Sequence, residues 1–333
     1  MKILVTGVAG FIGYHVAKAL LMRGNSVVGV DDLNAYYDVR LKHARLARLA
    51  RQEGFAFHAL DIGHHEDLCA VCSDVEVIVH LAAQAGVRYS IENPFAYASA
   101  NLTGHLSILE LARHAPALRH LVYASSSSVY GAGSTLPYTE SARADHPLSL
   151  YAATKRADEL MSVAYSHQYR LSQTGLRFFT VYGPWGRPDM AYFWFAEAIM
   201  AGRPITLYEG GRLKRDFTYI DDIVIGLLGV IDHPPEPEGT HRLFNIGNNR
   251  SEYVIDMVRL LEAELDRCAI VIDKPRPAAD PIETHADISA LAQLTGFAPK
   301  TTLSEGIPRF VAWYRDWLTE RSRTQAQEVS VPI

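Results

Sequence analysis

The sequence predicts an α/β fold built on a doubly wound parallel sheet, for three reasons. A short apolar run, Lys2–Thr6, leads through a glycine-rich loop into apolar residues at helical spacing over 11–23. A second apolar run over 26–30 ends at Asp31. Continuous apolar runs of this length are typical of strands that are buried on both faces. Their alternation with helical segments predicts crossover connections and a parallel sheet.

The later elements continue the same alternation. Apolar runs predict further strands at 55–59, 75–81, 118–124 and 173–179. Helical periodicity predicts helices near 40–52, 94–115 and 151–170, and the helix over 11–23 is expected to stop at Gly24. The first 180 residues therefore follow a repeated βαβ order.

After residue 180 the pattern changes, which predicts a smaller second lobe. Residues 182–188 form a turn-rich aromatic stretch, and a helix is expected over 191–202. Proline-rich loops at 232–239 and 274–281 interrupt regular structure because proline lacks an N–H donor and fixes φ. The expected divisions are a first domain over 1–180, with about 216–247 included, a C-terminal lobe over 181–215 and 248–320, and a flexible tail over 321–333.

Composition narrows the classes of function. The 333 residues include 32 basic and 37 acidic side chains, a formal net charge of -5, without a block of like charge. A nucleic-acid partner calls for a basic face, so none is expected. No apolar run approaches the ~20 residues of a membrane span, and the glycine loop begins too early for a signal peptide's apolar region. We expect a cytoplasmic protein that does not bind membranes.

The cysteines do not indicate a metal or disulfide framework. Cys69, Cys72 and Cys268 are odd in number and too few for a set of disulfides. The Cys69-x-x-Cys72 spacing could form half of a zinc site, but no second pair supplies the other ligands. No metal is expected.

The glycine loop predicts a dinucleotide site in a Rossmann-like sheet. Gly7 lets the chain turn, and Gly10 lets backbone N–H groups approach phosphates at the positive end of the helix. Gly13 lets helix and strand pack closely. The phosphate charge is then met by backbone dipoles rather than by a lysine.

Carboxylates after the second and third strands suit the adenosine half of the dinucleotide. Asp31 can accept hydrogen bonds from the ribose hydroxyls and would repel a 2′-phosphate, which favours NAD over NADP. Arg40 and Lys42 lie nearby in sequence and could pair with a 2′-phosphate, so NADP stays an alternative cofactor. Asp61, followed by Ile62, suits the adenine edge, although Asp61 could equally be a helix N-cap.

Tyr151 and Lys155 share one face of a predicted helix. An ammonium beside a phenol favours the phenolate, which turns a side chain that normally titrates near pH ~10 into a usable base. The spacing is also compatible with a lysine stem lying over an aromatic ring. The serine cluster at 125–128 and the glycine loop favour the catalytic interpretation.

In this order the motifs resemble the extended short-chain dehydrogenase/reductase family, over residues 1 to about 317. The motifs are Gly7-x-x-Gly10-x-x-Gly13, His80-Leu81-Ala82-Ala83, Ser125–Ser128 before Val129-Tyr130-Gly131, Tyr151-x-x-x-Lys155 and Arg215-Asp216-Phe217. The stretches 31–38 and 182–191 resemble, more narrowly, the nucleotide-sugar 4-epimerases, above all those that act on UDP-glucuronate.

The resemblance implies a reaction in which Tyr151 takes the proton of the sugar's 4-hydroxyl while C4 gives hydride to the nicotinamide. Lys155 would hold the nicotinamide ribose and depress the tyrosine pKa, and Ser126 would hydrogen-bond the same sugar oxygen. The resulting 4-ketone turns over and takes the hydride back on its other face. Dehydratases and decarboxylases of the family place acids beside the serine. This chain has Ser127 and Ser128 there, so epimerisation is expected.

The resemblance also implies binding residues. Arg187 is expected to grip a uronate carboxylate bidentately, unless it pairs with Asp189. Arg215 could likewise form a buried pair with Asp216 instead of meeting the pyrophosphate. The expected cofactor contacts are Gly7, Gly10, Phe11, Ile12, Gly13, Asp31, Asp32, Asn34, Asp61, Ile62, Leu81, Ala82, Ala83, Gln84, Tyr151 and Lys155. The expected substrate contacts are Arg88, Ser126, Ser128, Thr180, Arg187, Arg212 and Arg215.

One departure from the family pattern concerns the C-terminal Gly-Asp motif. It reads Ala279-Asp280 here, within a proline-rich loop, and Pro277 stands where a polar residue is expected. Arg276 could substitute for that residue. Nucleotide contacts in this loop are therefore open.

Taken together, the residues and the resemblance predict an NAD-dependent 4-epimerase of a UDP-sugar, most closely UDP-glucuronate to UDP-galacturonate. Alternatives are a 4-epimerase of a neutral UDP-hexose or UDP-N-acetylhexosamine, and a non-catalytic NAD-binding regulator. The intact Ser126, Tyr151 and Lys155 argue against the regulator. The helices over 94–115 and 151–170 could pair with those of a second subunit, so a homodimer is expected.

Overall fold

The computed structural model describes residues 1–277 and 280–329, with side chains through residue 321. Its strands are β1 Lys2–Thr6, β2 Ser26–Asp31, β3 Phe55–Ala59, β4 Val77–His80, β5 His120–Ser126, β6 Gln173–Phe178, β7 Thr180–Tyr182, β8 Pro204–Tyr208, β9 Lys214–Tyr219, β10 His241–Ile246, β11 Ser251–Tyr253 and β12 Ile270–Lys274. Its helices are α1 Phe11–Met22, α2 Val39–Leu49, α3 His65–Cys72, α4 Tyr89–Glu92, α5 Pro94–Tyr97, α6 Gly104–His114, α7 Leu150–Tyr169, α8 Ala191–Met200, α9 Ile220–Asp232, α10 Val254–Leu265, α11 Ser289–Thr295 and α12 Leu303–Val329.

The largest sheet has seven strands in the order β10-β6-β5-β4-β1-β2-β3. Every neighbouring pair in it is parallel, with β1 between β2 and β4. The strand order reverses direction at β1, and a crevice forms at the carboxyl ends of the strands at such a point. The predicted doubly wound parallel sheet is confirmed.

Local sequence signals explain where the key helices begin and end. Helix α1 is followed by Gly24 at φ +76°, a left-handed conformation in which glycine carries no Cβ penalty. Helix α7 begins after Ser149, whose side chain accepts a hydrogen bond from the N–H of Ala152. This cap starts the helix just before Tyr151 and places Lys155 one turn further along the same face.

The region after residue 180 adds two small sheets and a helical layer. One sheet has the order β11-β9-β7, and the other pairs β12 with β8 in parallel. Helices α8, α10 and α12 pack together, and their core includes Trp185, Phe193, Phe310 and Trp313. Strand β10 returns to the edge of the large sheet beside β6. The exact domain boundaries expected from the sequence stay a prediction.

The last helix extends into the region expected from the sequence to be a flexible tail over 321–333, and that tail stays a prediction. Helix α12 continues to Val329, and residues 330–333 lie outside the described part. Within the described residues, no helix combines the length and apolar character needed to span a membrane.

Candidate active site

A cavity of about 530 Å³ lies at the carboxyl edge of the large sheet. It contacts the glycine loop, the serine cluster and the start of α7, and also residues of the second lobe. The predicted residues that line it are Gly7, Gly10, Phe11, Ile12, Gly13, Asp31, Asp32, Asn34, Asp61, Ile62, Leu81, Ala82, Ala83, Gln84, Ser126, Ser128, Tyr151, Lys155, Thr180, Arg187 and Arg215. Arg88 and Arg212 are not part of this lining.

The glycine loop has the close backbone packing that a dinucleotide site requires. Gly7 has φ +67°, and a Cβ there would lie 2.8 Å from the backbone nitrogen of Ala82. A Cβ on Gly13 would lie 2.1 Å from the carbonyl oxygen of Gly7. No side chain caps the N-terminus of α1, and its first turn has no acidic residue. The loop and the open helix end therefore suit the pyrophosphate of NAD.

Asp31 is buried at the end of β2 and held by three donors. It accepts hydrogen bonds from the backbone nitrogens of Ala9 at 3.1 Å and Leu33 at 2.9 Å, and from Nζ of Lys42 at 3.2 Å. Arg40 instead pairs with Asp38 at 2.6 Å. Of the two cations considered for a 2′-phosphate, Lys42 is thus the one that contacts Asp31.

Asp61 borders the cavity but does not cap a helix. Its Oδ1 accepts a hydrogen bond from the backbone nitrogen of Gly63 at 2.8 Å, which closes a local turn. The N-cap of α3 is His64, whose side chain makes no capping hydrogen bond. The N-cap alternative for Asp61 is therefore wrong.

The three predicted catalytic side chains face the same cavity. Tyr151 is half-buried, and its ring lies edge-on to that of Tyr97 at 6.1 Å between centroids. Lys155 is buried, and its Nζ donates to the carbonyl oxygen of Ala124 at 3.1 Å. Ser126 is buried at the end of β5, where its hydroxyl oxygen accepts from the backbone nitrogen of Ser128 at 3.2 Å. One base candidate, one cation and one hydroxyl therefore meet at the expected nicotinamide end.

Ser125 has a structural partner behind the site. Its hydroxyl donates to Oε1 of Glu159 at 2.6 Å. Glu159 is also gripped by Arg177 through two hydrogen bonds of 2.8 and 2.9 Å. Although burial opposes it, Arg177 holds the pKa of Glu159 below its usual range. Ser125 therefore belongs to a buried ion-pair network behind the site.

Arg187 is both a lining residue and the partner of Asp189. Its Nε and Nη2 donate to the two carboxylate oxygens at 3.0 and 2.5 Å, and the hydroxyl of Tyr36 donates to the same carboxylate at 3.2 Å. Among the described residues, Nη1 has no hydrogen-bond partner. Although burial opposes it, Asp189 raises the pKa of Arg187, and Tyr151 adds to the rise. Arg187 thus lines the cavity with one guanidinium nitrogen left over by Asp189, and it is close enough to Tyr151 for their charges to interact.

Arg45 of α2 holds the loop before Arg187, a role that the sequence analysis missed. This fully buried guanidinium donates to the carbonyl oxygens of Ala9 at 2.6 Å, Trp185 at 2.7 Å and Gly186 at 3.0 Å. Trp185 has φ 61°, which is strained for a bulky side chain. Arg45 therefore ties the glycine loop to this strained loop. No spacing signal could reveal the contact because Arg45 and Trp185 lie far apart in the sequence.

The other three arginines predicted to contact the substrate differ in burial and in their ion pairs. Arg215 pairs with Asp280 at 3.5 Å, so the expected alternative pairing with Asp216 is wrong. Asp216 is buried and accepts hydrogen bonds from backbone nitrogens of two other segments. The side chains of Arg88 and Arg212 are 71% and 73% exposed, and Arg88 lies 3.9 Å from Asp280. Arg88 is thus near the cavity rim, while Arg212 extends into solvent.

A buried asparagine joins the nicotinamide side of the cavity to α7, and the sequence analysis did not identify it. Asn101 lies in a π-helical turn, Ala98–Thr103, between α5 and α6. Its Nδ2 donates to the carbonyl oxygen of Gln84 at 3.1 Å and to Oγ1 of Thr154 at 2.9 Å. Its Oδ1 accepts from the backbone nitrogen of Gln84 at 2.8 Å. Such turns often occur at functional sites, and this one fixes the segment after β4.

The loop with the altered family motif is partly described. Ala279 lies outside the described residues. The guanidinium of Arg276 donates to the carbonyl oxygens of Pro277 and Asp280, within its own loop. Its expected substitution for a nucleotide contact stays a prediction. Across the described residues, no group of three or more His, Cys, Asp or Glu side chains could hold a metal ion.

Comparisons with known proteins agree with this geometry. The sequence pattern described as "NAD dependent epimerase/dehydratase family" matches residues 3–247. The chain is 46% identical to a "Probable UDP-glucuronate 4-epimerase" of Rhizobium meliloti, over 94% of this chain and 97% of the relative. It superposes on the UDP-glucuronic acid 4-epimerase of Bacillus cereus in complex with UDP-glucuronic acid and NAD with a TM-score of 0.89 and 33% identity, covering 95% of this chain and 100% of the other.

The chain is also similar in structure to an epimerase that is named for a neutral sugar. The UDP-glucose 4-epimerase of Thermotoga maritima with UDP-glucose gives a TM-score of 0.85 at 29% identity, over 96% of this chain and 100% of the other. The shared fold is thus compatible with more than one UDP-sugar. The family match, which spans the large sheet and the cavity at its carboxyl edge, shows that this chain belongs to the NAD dependent epimerase/dehydratase family.

Proposed function

We propose that this protein is an NAD-dependent 4-epimerase that interconverts UDP-glucuronate and UDP-galacturonate. The observation that carries the proposal is a single cavity lined by the glycine loop, Ser126, Tyr151, Lys155 and Arg187. The relatives from Rhizobium meliloti and Bacillus cereus are named for the same activity. The residues after 180, apart from about 216–247, form the lobe that receives the UDP-sugar.

The chain's own groups perform the proton chemistry. NAD, when bound, supplies an acceptor that takes the C4 hydride and returns it to the opposite face. Tyr151 takes the proton of the 4-hydroxyl and later gives it back, and Ser126 hydrogen-bonds the same oxygen. Lys155 holds the nicotinamide ribose and presents a positive charge beside Tyr151. Ser127 and Ser128 carry hydroxyls where an acid would divert the ketone, so re-reduction is the remaining outcome.

Substrate selection is assigned to the second-lobe side of the cavity. Arg187 pairs with the uronate carboxylate through the part of its fork that Asp189 leaves free. Thr180 and Ser128 line the same space and contact the sugar. Arg215 faces the pyrophosphate of the UDP-sugar. Arg88 and Arg212 lie nearer to solvent on the same side of the substrate. A neutral sugar would leave Arg187 without its carboxylate, which favours a uronate over a hexose.

The proposal is tested by giving the purified holoenzyme UDP-glucuronate, UDP-glucose or UDP-N-acetylglucosamine and separating the products by chromatography. We expect UDP-galacturonate from the first and no conversion of the other two. Bound NAD should be reduced transiently without an added acceptor, as ultraviolet difference spectra would show. Conversion of the neutral sugars alone would contradict the uronate assignment and favour a 4-epimerase of neutral UDP-sugars. If no sugar were converted and the spectra did not change, the protein would instead be a non-catalytic NAD-binding regulator.

The proposal includes a homodimer formed by α5, α6 and α7. Helix α7 contacts both α5 and α6, and the three helices carry exposed apolar side chains, among them Phe95 at 83% exposure and Leu160 at 55%. Isolated monomers rarely expose such a group of large apolar residues. In a dimer with two-fold symmetry, the exposed apolar side chains of each copy would be covered by those of the other.

Light scattering tests this assembly. The wild-type protein should have twice the chain mass of 37.0 kDa, and Leu160→Glu should shift it towards the monomer because a carboxylate would be buried unpaired. Ile270→Glu is a matched control, since Ile270 is also 55% exposed but lies on β12. A monomeric wild type, or equal effects of both changes, would contradict the interface.

The cytoplasmic location expected from the sequence stays part of this proposal. Cys69, Cys72 and Cys268 are free thiols in the structure. Unpaired cysteines suit a reducing compartment, where structural disulfides are rare. Cell fractionation with an antibody to the protein would test the location.

A further inference from the structure

Lys155 is paired with a buried carboxylate that none of the proposed steps uses. Asp158 lies on the same face of α7, and its Oδ2 accepts a hydrogen bond from Nζ of Lys155 at 3.0 Å. The side chain of Asp158 is 0% exposed and that of Lys155 is 3% exposed. The other carboxylate oxygen, Oδ1, has no hydrogen-bond partner among the described residues. Among the described residues, the other hydrogen bond of this amino group goes to the carbonyl oxygen of Ala124.

Fold stability does not explain this pair. The desolvation of two buried charges often exceeds their attraction, so apolar residues of the same volume would serve the fold at least as well. Aspartate is also a poor residue for a helix interior. A role in the chemistry of the neighbouring lysine is the remaining physical explanation.

The surroundings make Lys155 the dominant charge that Asp158 meets. Glu159, the next residue of α7, is already paired with Arg177 and Arg156. From α6, His105 faces the pair, and burial lowers its pKa to about 3. From β4, burial lowers the pKa of His80 well below its ordinary value. From β5, burial raises the pKa of Tyr123 well above its ordinary value. These three rings are therefore neutral at physiological pH.

We propose that Asp158 is a positioning residue that keeps the Lys155 ammonium protonated and directed at the cofactor and Tyr151 during catalysis. A buried lysine without a counter-ion tends to lose its proton, because burial disfavours the charged form. Asp158 opposes that loss and occupies one of the three N–H donors, and Ala124 occupies a second. The third stays available to the cofactor ribose or to Tyr151. This inference rests on the proposed function.

The pH dependence of the proposed reaction follows from this pair. Burial, offset in part by Lys155, raises the pKa of Asp158 to about 6. Below that pH the carboxyl is neutral in the wild type, so removing its charge changes little. Above that pH its negative charge supports the ammonium. Removing the charge should therefore harm the enzyme on the alkaline side of its profile.

Asp158→Asn tests the inference, since the amide keeps the size and one acceptor oxygen. We expect kcat/KM of the variant to match the wild type within about twofold near pH 6 and its alkaline limb to move to lower pH by roughly one unit. Ser162→Ala is the control, because Ser162 is buried on the same helix and bonds His105 rather than Lys155. A uniform loss at every pH, an unmoved limb or the same shift in the control would overturn the inference.

A second measurement does not depend on turnover. In pH-difference infrared spectra, the wild type should show a protonated-carboxyl band that disappears near pH 6 and is missing in Asp158→Asn. In Lys155→Met the same band should persist to higher pH, because coupling between two sites is reciprocal. A band unaffected by Lys155→Met would overturn the inference even if turnover is normal. If no UDP-sugar is converted, the proposed function fails, and these spectra still decide whether Asp158 and Lys155 are coupled.

Discussion

Tyr151→Phe is expected to lower kcat for 4-epimerisation by about 10²–10⁴-fold, the usual contribution of a positioned general base. Phenylalanine keeps the ring that packs against Tyr97 but removes the oxygen that takes the proton. The fold should be unaffected because the phenol oxygen makes no hydrogen bond to another described residue. Product formation from UDP-glucuronate and the amplitude of transient NAD reduction measure the effect.

Tyr165→Phe is the matched control for that experiment. Tyr165 lies on the same helix, but its hydroxyl bonds Glu110 at 2.6 Å and does not line the cavity. The control should retain the wild-type turnover. If Tyr151→Phe reduced NAD as fast as the wild type, another group would have to be the base. If both variants lost activity alike, the loss would reflect damage to α7.

Arg187→Ala is expected to lower kcat/KM for UDP-glucuronate by about 10²-fold, the second large effect. Charge-assisted hydrogen bonds contribute about 1.5–3 kcal/mol each, and the substitution removes those to the substrate carboxylate. The change also alters the fate of the ketone. The 4-keto uronate is a β-keto acid, which loses CO2 when its carboxylate bond aligns with the carbonyl π system. Arg187 is expected to prevent that alignment.

The products report this second role. Loss of CO2 breaks the C5–C6 bond, C5 takes a proton from solvent, and a UDP-4-keto-pentose leaves while the bound dinucleotide stays reduced. We therefore expect CO2 and reduced dinucleotide in equal amounts from Arg187→Ala. Arg203→Ala, a change in an exposed arginine paired with Glu197, should behave as the wild type. Full turnover without CO2 in Arg187→Ala would contradict the carboxylate clamp.

The elements of the first domain could be predicted because their signals are local. Buried strands such as β1 and β4 are built on the apolar runs Ile3–Val5 and Val77–Val79, and the predicted bounds differ from the observed ones by a few residues. The start of α7 follows from the Ser149 cap, and Gly24 ends α1. Strand β10 is harder to predict since it joins the edge of the sheet from a segment beyond the second lobe.

The candidate site was predictable to the extent that its motifs are contiguous. The glycine loop, Tyr151 and Lys155, and Ser126 each belong to one turn, loop or helix face, and all line the cavity. The ion pairs were not predictable in the same way. Arg215 meets Asp280 rather than its neighbour Asp216 because adjacent residues in a strand point to opposite faces.

By itself, the amino-acid sequence determined the parallel sheet, the cofactor loop and the catalytic helix, since hydrophobic periodicity, caps and i,i+4 spacing act within a few residues of one another. Tertiary structure alone decided that Arg45 supports the loop of Arg187, that Arg212 extends into solvent, and that neutral rings surround the ion pair of Lys155. The physical reason is distance along the chain. Burial and charge pairing depend on which remote segments meet in space, and that is known only once the whole core is packed.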